Sequence, residues 1–68
     1  MTIVIQSIDI DNHCISIEQD KYESCYKVRV NEFIDRAIRY CRVINEHYYP
    51  TLAKAKRRFN YLKRRIAQ

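Results

Sequence analysis

Residues 38–50 read Ile38-Arg39-Tyr40-Cys41-Arg42-Val43-Ile44-Asn45-Glu46-His47-Tyr48-Tyr49-Pro50, and the fold turns on whether this stretch coils or extends. Followed at steps of three and four from just upstream, Phe33, Ile34, Ala37, Ile38, Cys41, Ile44 and Tyr48 share one side of a helical wheel. Glu32, Asp35, Arg36, Arg39, Arg42 and Glu46 share the other. Asn31 suits an N-cap. Glu32–Arg36 and Asp35–Arg39 are i,i+4 pairs in the better order, worth about 0.2–0.5 kcal/mol each in an isolated helix. Followed at steps of two, the stretch offers Val43, Ile44, Tyr48 and Tyr49, all strand formers. As a strand, though, it would set Arg42 and Glu46 on the same face as Ile38, Tyr40 and Ile44, poor patterning for a buried face. A helix over residues 32–48 is therefore expected. A strand over residues 38–49 is the alternative.

Upstream the pattern is β. Residues 3–10 are rich in β-branched side chains and predict a first strand, with a shift of phase between Ile5 and Ile8 that suggests a bulge. Asp11-Asn12 suits a tight turn. The chain has no glycine, so Asp and Asn must fill the left-handed positions. Residues 14–18 alternate as a second strand with Ile15 and Ile17 inward, and Gln19-Asp20-Lys21 predicts the next turn. Tyr26, Val28 and Val30 then alternate with Cys25, Lys27 and Arg29 as a third strand with one wet face. Tyr26 and Tyr48 are expected to complete the core.

Downstream, Pro50 holds Tyr49 in an extended conformation, and Thr51 is a good N-cap. Leu52, Ala55, Phe59, Leu62 and Ile66 then form one apolar seam at helical spacing. The expected architecture is a single α+β domain: a small three-stranded antiparallel β-meander packed against two C-terminal α-helices. The alternative is a four-stranded meander plus one C-terminal helix. Sixty-eight residues without an internal repeat or linker make one domain with a thin core. Pairing often supports so small a core, so a homodimer is as reasonable an expectation as a monomer.

Charge is segregated. Residues 51–68 hold seven Lys or Arg and no acid, +7; the first fifty residues hold six bases and eight acids, −2. A field of this kind favours nucleic acid or an acidic protein surface. On the wheel, Lys54, Arg57, Tyr61 and Arg64 point most directly away from the seam, and Lys56, Arg58, Lys63 and Arg65 flank it. Lys54, Arg57, Arg58, Tyr61, Arg64 and Arg65 thus form a cationic stripe with an aromatic at its centre, suited to phosphates. The stripe carries no base-reading code and no helix-turn-helix or RNA-recognition signature. Tyr40 and Val43, off the apolar seam, are candidates for a protein interface.

Other function classes find little support. Without glycine there is no phosphate-cradling loop, and no cofactor is expected. Asp11, His13 and Cys14 crowd one turn, whereas nucleophile, base and orienter normally converge from distant parts of a fold. The chain is therefore not expected to be an enzyme. Cys14, Cys25 and Cys41 form no CxxC pair, and His13 and His47 add no zinc spacing, so no metal is expected. There is no signal-peptide pattern and no apolar run near the ~20 residues that span a bilayer. The C-terminal helix lacks Trp and needs its narrow stripe for the core, which argues against a membrane surface. A cytoplasmic protein with reduced thiols is expected. The function expected first is a non-enzymatic module whose basic C-terminal helix contacts nucleic acid or a nucleoprotein. The alternative is a phage or mobile-element type of accessory protein that inhibits a host machine, an anti-defence inhibitor for example, by direct protein binding.

Overall fold

A computed structural model describes residues 2–20 and 24–67. They form β1 (Thr2–Ile10), β2 (His13–Asp20), β3 (Tyr26–Asp35), β4 (Tyr40–Tyr49) and α1 (Leu52–Ala67). The strands lie in chain order in one antiparallel sheet, β1-β2-β3-β4. The fold is α+β in its four-stranded, one-helix form. The expected three-stranded, two-helix form is wrong over residues 32–49, where β3 continues through Asp35, residues 36–39 turn, and β4 returns beside it, and the expected C-terminal helix follows.

Two physical facts defeat the helical wheel there. First, no residue of β4 is fully buried, so its mixed faces cost little. Ile44 is 46% exposed, and Ile38, in the turn, is 73% exposed. Second, the register slips where Val30 faces Asn45 but Asn31 faces Val43. Ile44 is the extra residue, a bulge that inverts the alternation. Glu46 consequently faces Arg29 and Arg42 faces Glu32, on opposite sides of the sheet. The expected helical ion pairs are replaced by long-range ones. Arg42 donates to Glu32 at 2.9 Å, and Arg39 donates to Asp9 at 2.9 and 3.3 Å. Asp35 instead accepts the N–H of Ala37 within the turn, at 3.0 Å.

The first half follows its sequence closely. The phase shift in β1 is a slip between Val4 and Gln6, with Ile5 as the extra residue. Asp11 takes the left-handed conformation, φ 52°. The other positive φ, 55°, belongs to Arg39, an uncommon residue there, whose side chain is anchored on Asp9. Asn12 ties this first turn to β3: its carbonyl accepts the N–H of Phe33 and its Nδ2 donates to the Phe33 carbonyl, both at 2.9 Å. The turn expected at residues 19–21 falls partly outside the described residues, since Gln19 and Asp20 end β2 and Lys21 is not described. Tyr22 is likewise outside them.

The core lies between the sheet and α1. Ile15 faces Val30 and Ile17 faces Val28 across the two central strands, and Ala55 and Phe59 seat on them from above. All six are buried. Ile8, Ile10, Tyr26, Tyr49, Leu52, Leu62 and Ile66 close the margins. The seam read from residues 52–66 is thus the surface that docks. Tyr48 is not in the core as expected. It lies opposite Lys27 on the outer face and donates to Glu46 at 3.0 Å, while Tyr49, opposite Tyr26, turns inward. Phe33 is buried on the outer face, under the guanidinium groups of Arg39 and Arg36, 5.0 and 5.6 Å from its ring centre.

Candidate functional site

Local chemistry starts α1 cleanly. Pro50 ends β4, the Thr51 hydroxyl accepts the N–H of Lys54 at 3.3 Å, and the Thr51 carbonyl accepts the N–H of Ala55 at 3.1 Å. Beyond this cap the helix is electrostatically awkward. The first turn holds no acid to complement the positive end of the macrodipole. Lys54 lies one turn from both Arg57 and Arg58, and like charges at i,i+4 cost a few tenths of a kcal/mol. Only Arg64 and Arg65, in the last turn, suit the dipole. The seam beneath holds the helix in place despite this repulsion.

Four of the six cationic-stripe residues expected from sequence come together. Lys54, Arg57, Arg58 and Tyr61, with Tyr49 from the end of β4, line an open pocket of about 370 Å³. Arg58 stacks over the Tyr61 ring at 5.0 Å, and Arg65 reaches the same ring from the next turn at 5.9 Å. The Nε–H of Arg58 is shielded from solvent and meets no acceptor among the described residues. Arg64 is exposed on the same helix and does not line the pocket. Tyr49 is the residue that sequence reading misses. Its place before Pro50 marks it as a hinge, and its pairing with Tyr26 is visible only once β4 is a strand.

Tyr40 and Val43 are exposed, 59% and 49%, as expected of interface candidates, but on a strand rather than a helix. The structure does not bring them to the pocket. Tyr40 begins β4 and Tyr49 ends it, so roughly 30 Å of strand lies between them.

The cations of the two layers differ, although Arg36 in the β3–β4 turn, which lies over the Phe33 ring, also pairs with no described carboxylate. Lys27 pairs with Glu46 (3.8 Å), Arg29 with Glu18 and Glu46 (3.6 and 3.5 Å), Arg39 with Asp9 and Arg42 with Glu32 (2.9 Å each). Among the described residues, none of the seven cations of α1 pairs with a carboxylate.

Burial, and then the Asp9 carboxylate that its thiol hydrogen-bonds, push Cys14 up to about 11, the reverse of what a nucleophile needs. The Arg39 guanidinium, followed by that thiol, holds Asp9 below the usual carboxylate range. Among the described residues no group of three or more His, Cys, Asp or Glu could hold a metal ion. No described helix is long and apolar enough to cross a membrane. No protein-family model, curated protein or solved structure matches the chain.

Proposed function

We propose that this protein is a small binding module, acting without catalysis, that holds nucleic acid on the outer face of α1. The observation that carries the reading is the contrast in neutralisation: the paired strand cations spend their charge within the fold, and the helix cations do not. A run of seven bases that weakens its own helix and pairs with no described carboxylate is best accounted for by an external polyanion. Arginine forks at Arg57, Arg58, Arg64 and Arg65 suit phosphate oxygens, and Lys54 adds a point charge at the pocket rim. Engaging four or five phosphates predicts an affinity loss on the order of 100-fold between about 50 and about 200 mM salt. Fluorescence anisotropy with labelled DNA and RNA measures it. Arg57→Glu combined with Arg64→Glu is expected to abolish binding while the melting curve is unchanged. No binding at low salt, or binding indifferent to salt, refutes the reading.

A second reading rests on a different surface. β4 is an open sheet edge with Tyr40, Val43 and Ile44 exposed, and an extended segment of another protein can add to such an edge. This is the mode by which an inhibitor of a host protein machine would dock. It predicts a nuclease-resistant complex in which the amides of β4 become protected from hydrogen exchange and those of α1 do not.

A further inference from the structure

The pocket at the start of α1 says more than the charge does. Duplex nucleic acid presents phosphates outward and keeps its bases stacked inside, so a cationic helix alone would serve it. A pocket walled by two tyrosines would contribute nothing. Here the walls are Tyr49 and Tyr61, with mostly apolar surface, and the cations Lys54, Arg57 and Arg58 stand among them. Both walls have partners within the fold. Tyr49 belongs to the margin of the core, and Tyr61 is braced by the guanidinium groups of Arg58 and Arg65. Arginine planes and tyrosine rings are the two surfaces on which unpaired bases stack. A pocket of about 370 Å³ lies near the lower end of small-ligand sites, ~300–1,000 Å³, the scale of one nucleotide rather than a folded domain.

We infer that the ligand is single-stranded nucleic acid, with one base seated in the pocket between Tyr49 and Tyr61 and the neighbouring phosphates on Lys54, Arg57 and Arg58. The inference rests on the nucleic-acid reading above and narrows it from any polyanion to a strand with an accessible base. Binding here is expected to be sequence-tolerant, because every base offers a π-face to a tyrosine ring.

The test compares four labelled probes on the unaltered protein: oligothymidylate, the same backbone with abasic sites throughout, the matched thymidylate–adenylate duplex, and oligoglutamate. The intact strand is expected to bind at least about 10-fold more tightly than the abasic strand, since only the base differs. It is also expected to exceed the duplex and the acidic peptide. Tyr61→Leu should weaken the intact strand by about 5- to 100-fold, the usual worth of one stacked base, and leave the abasic strand and duplex unchanged. Tyr61 is 42% exposed, so this variant keeps the core, and circular dichroism verifies it. Equal binding of intact and abasic strands overturns the pocket while the nucleic-acid reading survives. A duplex or oligoglutamate that binds as well as the intact strand overturns it too. Failure of every nucleic-acid probe at low salt overturns both.

Discussion

On the outer face of the sheet, Arg29 lies between Glu18 and Glu46, Lys27 shares Glu46, and a buried Ser16 donates to Glu18 at 2.8 Å. On the outer face of α1, Lys54, Arg57, Arg58, Arg64 and Arg65 succeed one another with no described acid beside them. Both surfaces carry cations, yet on one they sit in a closed network with carboxylates and on the other they stand open. A charge that shares a carboxylate with its neighbours belongs to the fold. A charge left without one, on a helix it helps to destabilise, belongs to whatever arrives from outside. That contrast depends on the helix being seated, on the network carrying structural weight, and on Asp9 of β1 neutralising Arg39 across the width of the sheet. Each can be broken separately.

The largest effect comes from unseating the helix. Phe59 is buried over Ile15, Ile17, Val28 and Val30, and it is the only large side chain of α1 that is wholly enclosed. Phe59→Ala is expected to cost about 3–5 kcal/mol. A chain of this length has roughly 3–10 kcal/mol in all, so the variant should melt far below the parent or fail to fold. Loss of the helical circular-dichroism signal and of salt-dependent binding should come together. A variant that melts like the parent would mean that α1 is not moored by this residue, and the open cationic face would lose its rigid support.

A smaller effect separates the two charged surfaces. Glu18 is only 8% exposed, accepts from Ser16 and pairs with Arg29. Glu18→Ala leaves a buried hydroxyl without its acceptor and Arg29 with one carboxylate in place of two, an expected loss of about 1–3 kcal/mol in urea unfolding. Arg57→Ala removes an exposed charge from a crowded helix and should stay within about 0.5 kcal/mol of the parent. If the two variants unfold alike, the distinction between a structural and a free charge does not hold.

Legibility in the sequence tracks the range of the interactions. The seam of α1 is set by residues three and four apart, so Leu52, Ala55, Phe59, Leu62 and Ile66 can be read directly, and with them the stripe of Lys54, Arg57, Arg58 and Tyr61. The identity of residues 38–49 is not legible, because it depends on a bulge at Ile44 that exists only through pairing with β3. A hydrophobic wheel and an exposed edge strand can share one composition, and only the partner strand decides. Tyr49 is missed for the same reason. So is the burial of Ser16 and Glu18, which alternate with Ile15 and Ile17 as a wet face should yet are enclosed, Ser16 bonded to Glu18 and Glu18 paired with Arg29 of β3.

The smallest effect concerns the far corner of the sheet, where Arg39 leaves the β3–β4 turn to reach Asp9 on β1. The pair is exposed, so Asp9→Asn should barely move the melting temperature at neutral pH. Its signature is in pH. Asp9 titrates below the usual carboxylate range, chiefly because Arg39 hydrogen-bonds it and then because Cys14 does. The stability it lends is therefore present above about pH 3.8 and lost as pH falls further, and Asp9→Asn removes that acid sensitivity. Cys14 runs the other way. Its thiol is held up to about 11, first by burial and then by Asp9, so its contribution is present below 9.0 and lost as pH rises toward 11. At pH 8 the folded protein should hold on the order of 100-fold less Cys14 thiolate than the unfolded chain. Iodoacetamide labelling of the Cys14 peptide reads this directly. Asp9→Asn should speed labelling of the folded protein without bringing it to the unfolded rate, because burial, the larger cause, is untouched. Labelling of the parent at the unfolded rate would mean that Cys14 is not buried, whereas equal acid sensitivity in the parent and Asp9→Asn would mean that the turn does not reach β1. The arginine at its tip would then be as open as those of α1, and the division between paired sheet and unpaired helix would fail at that corner.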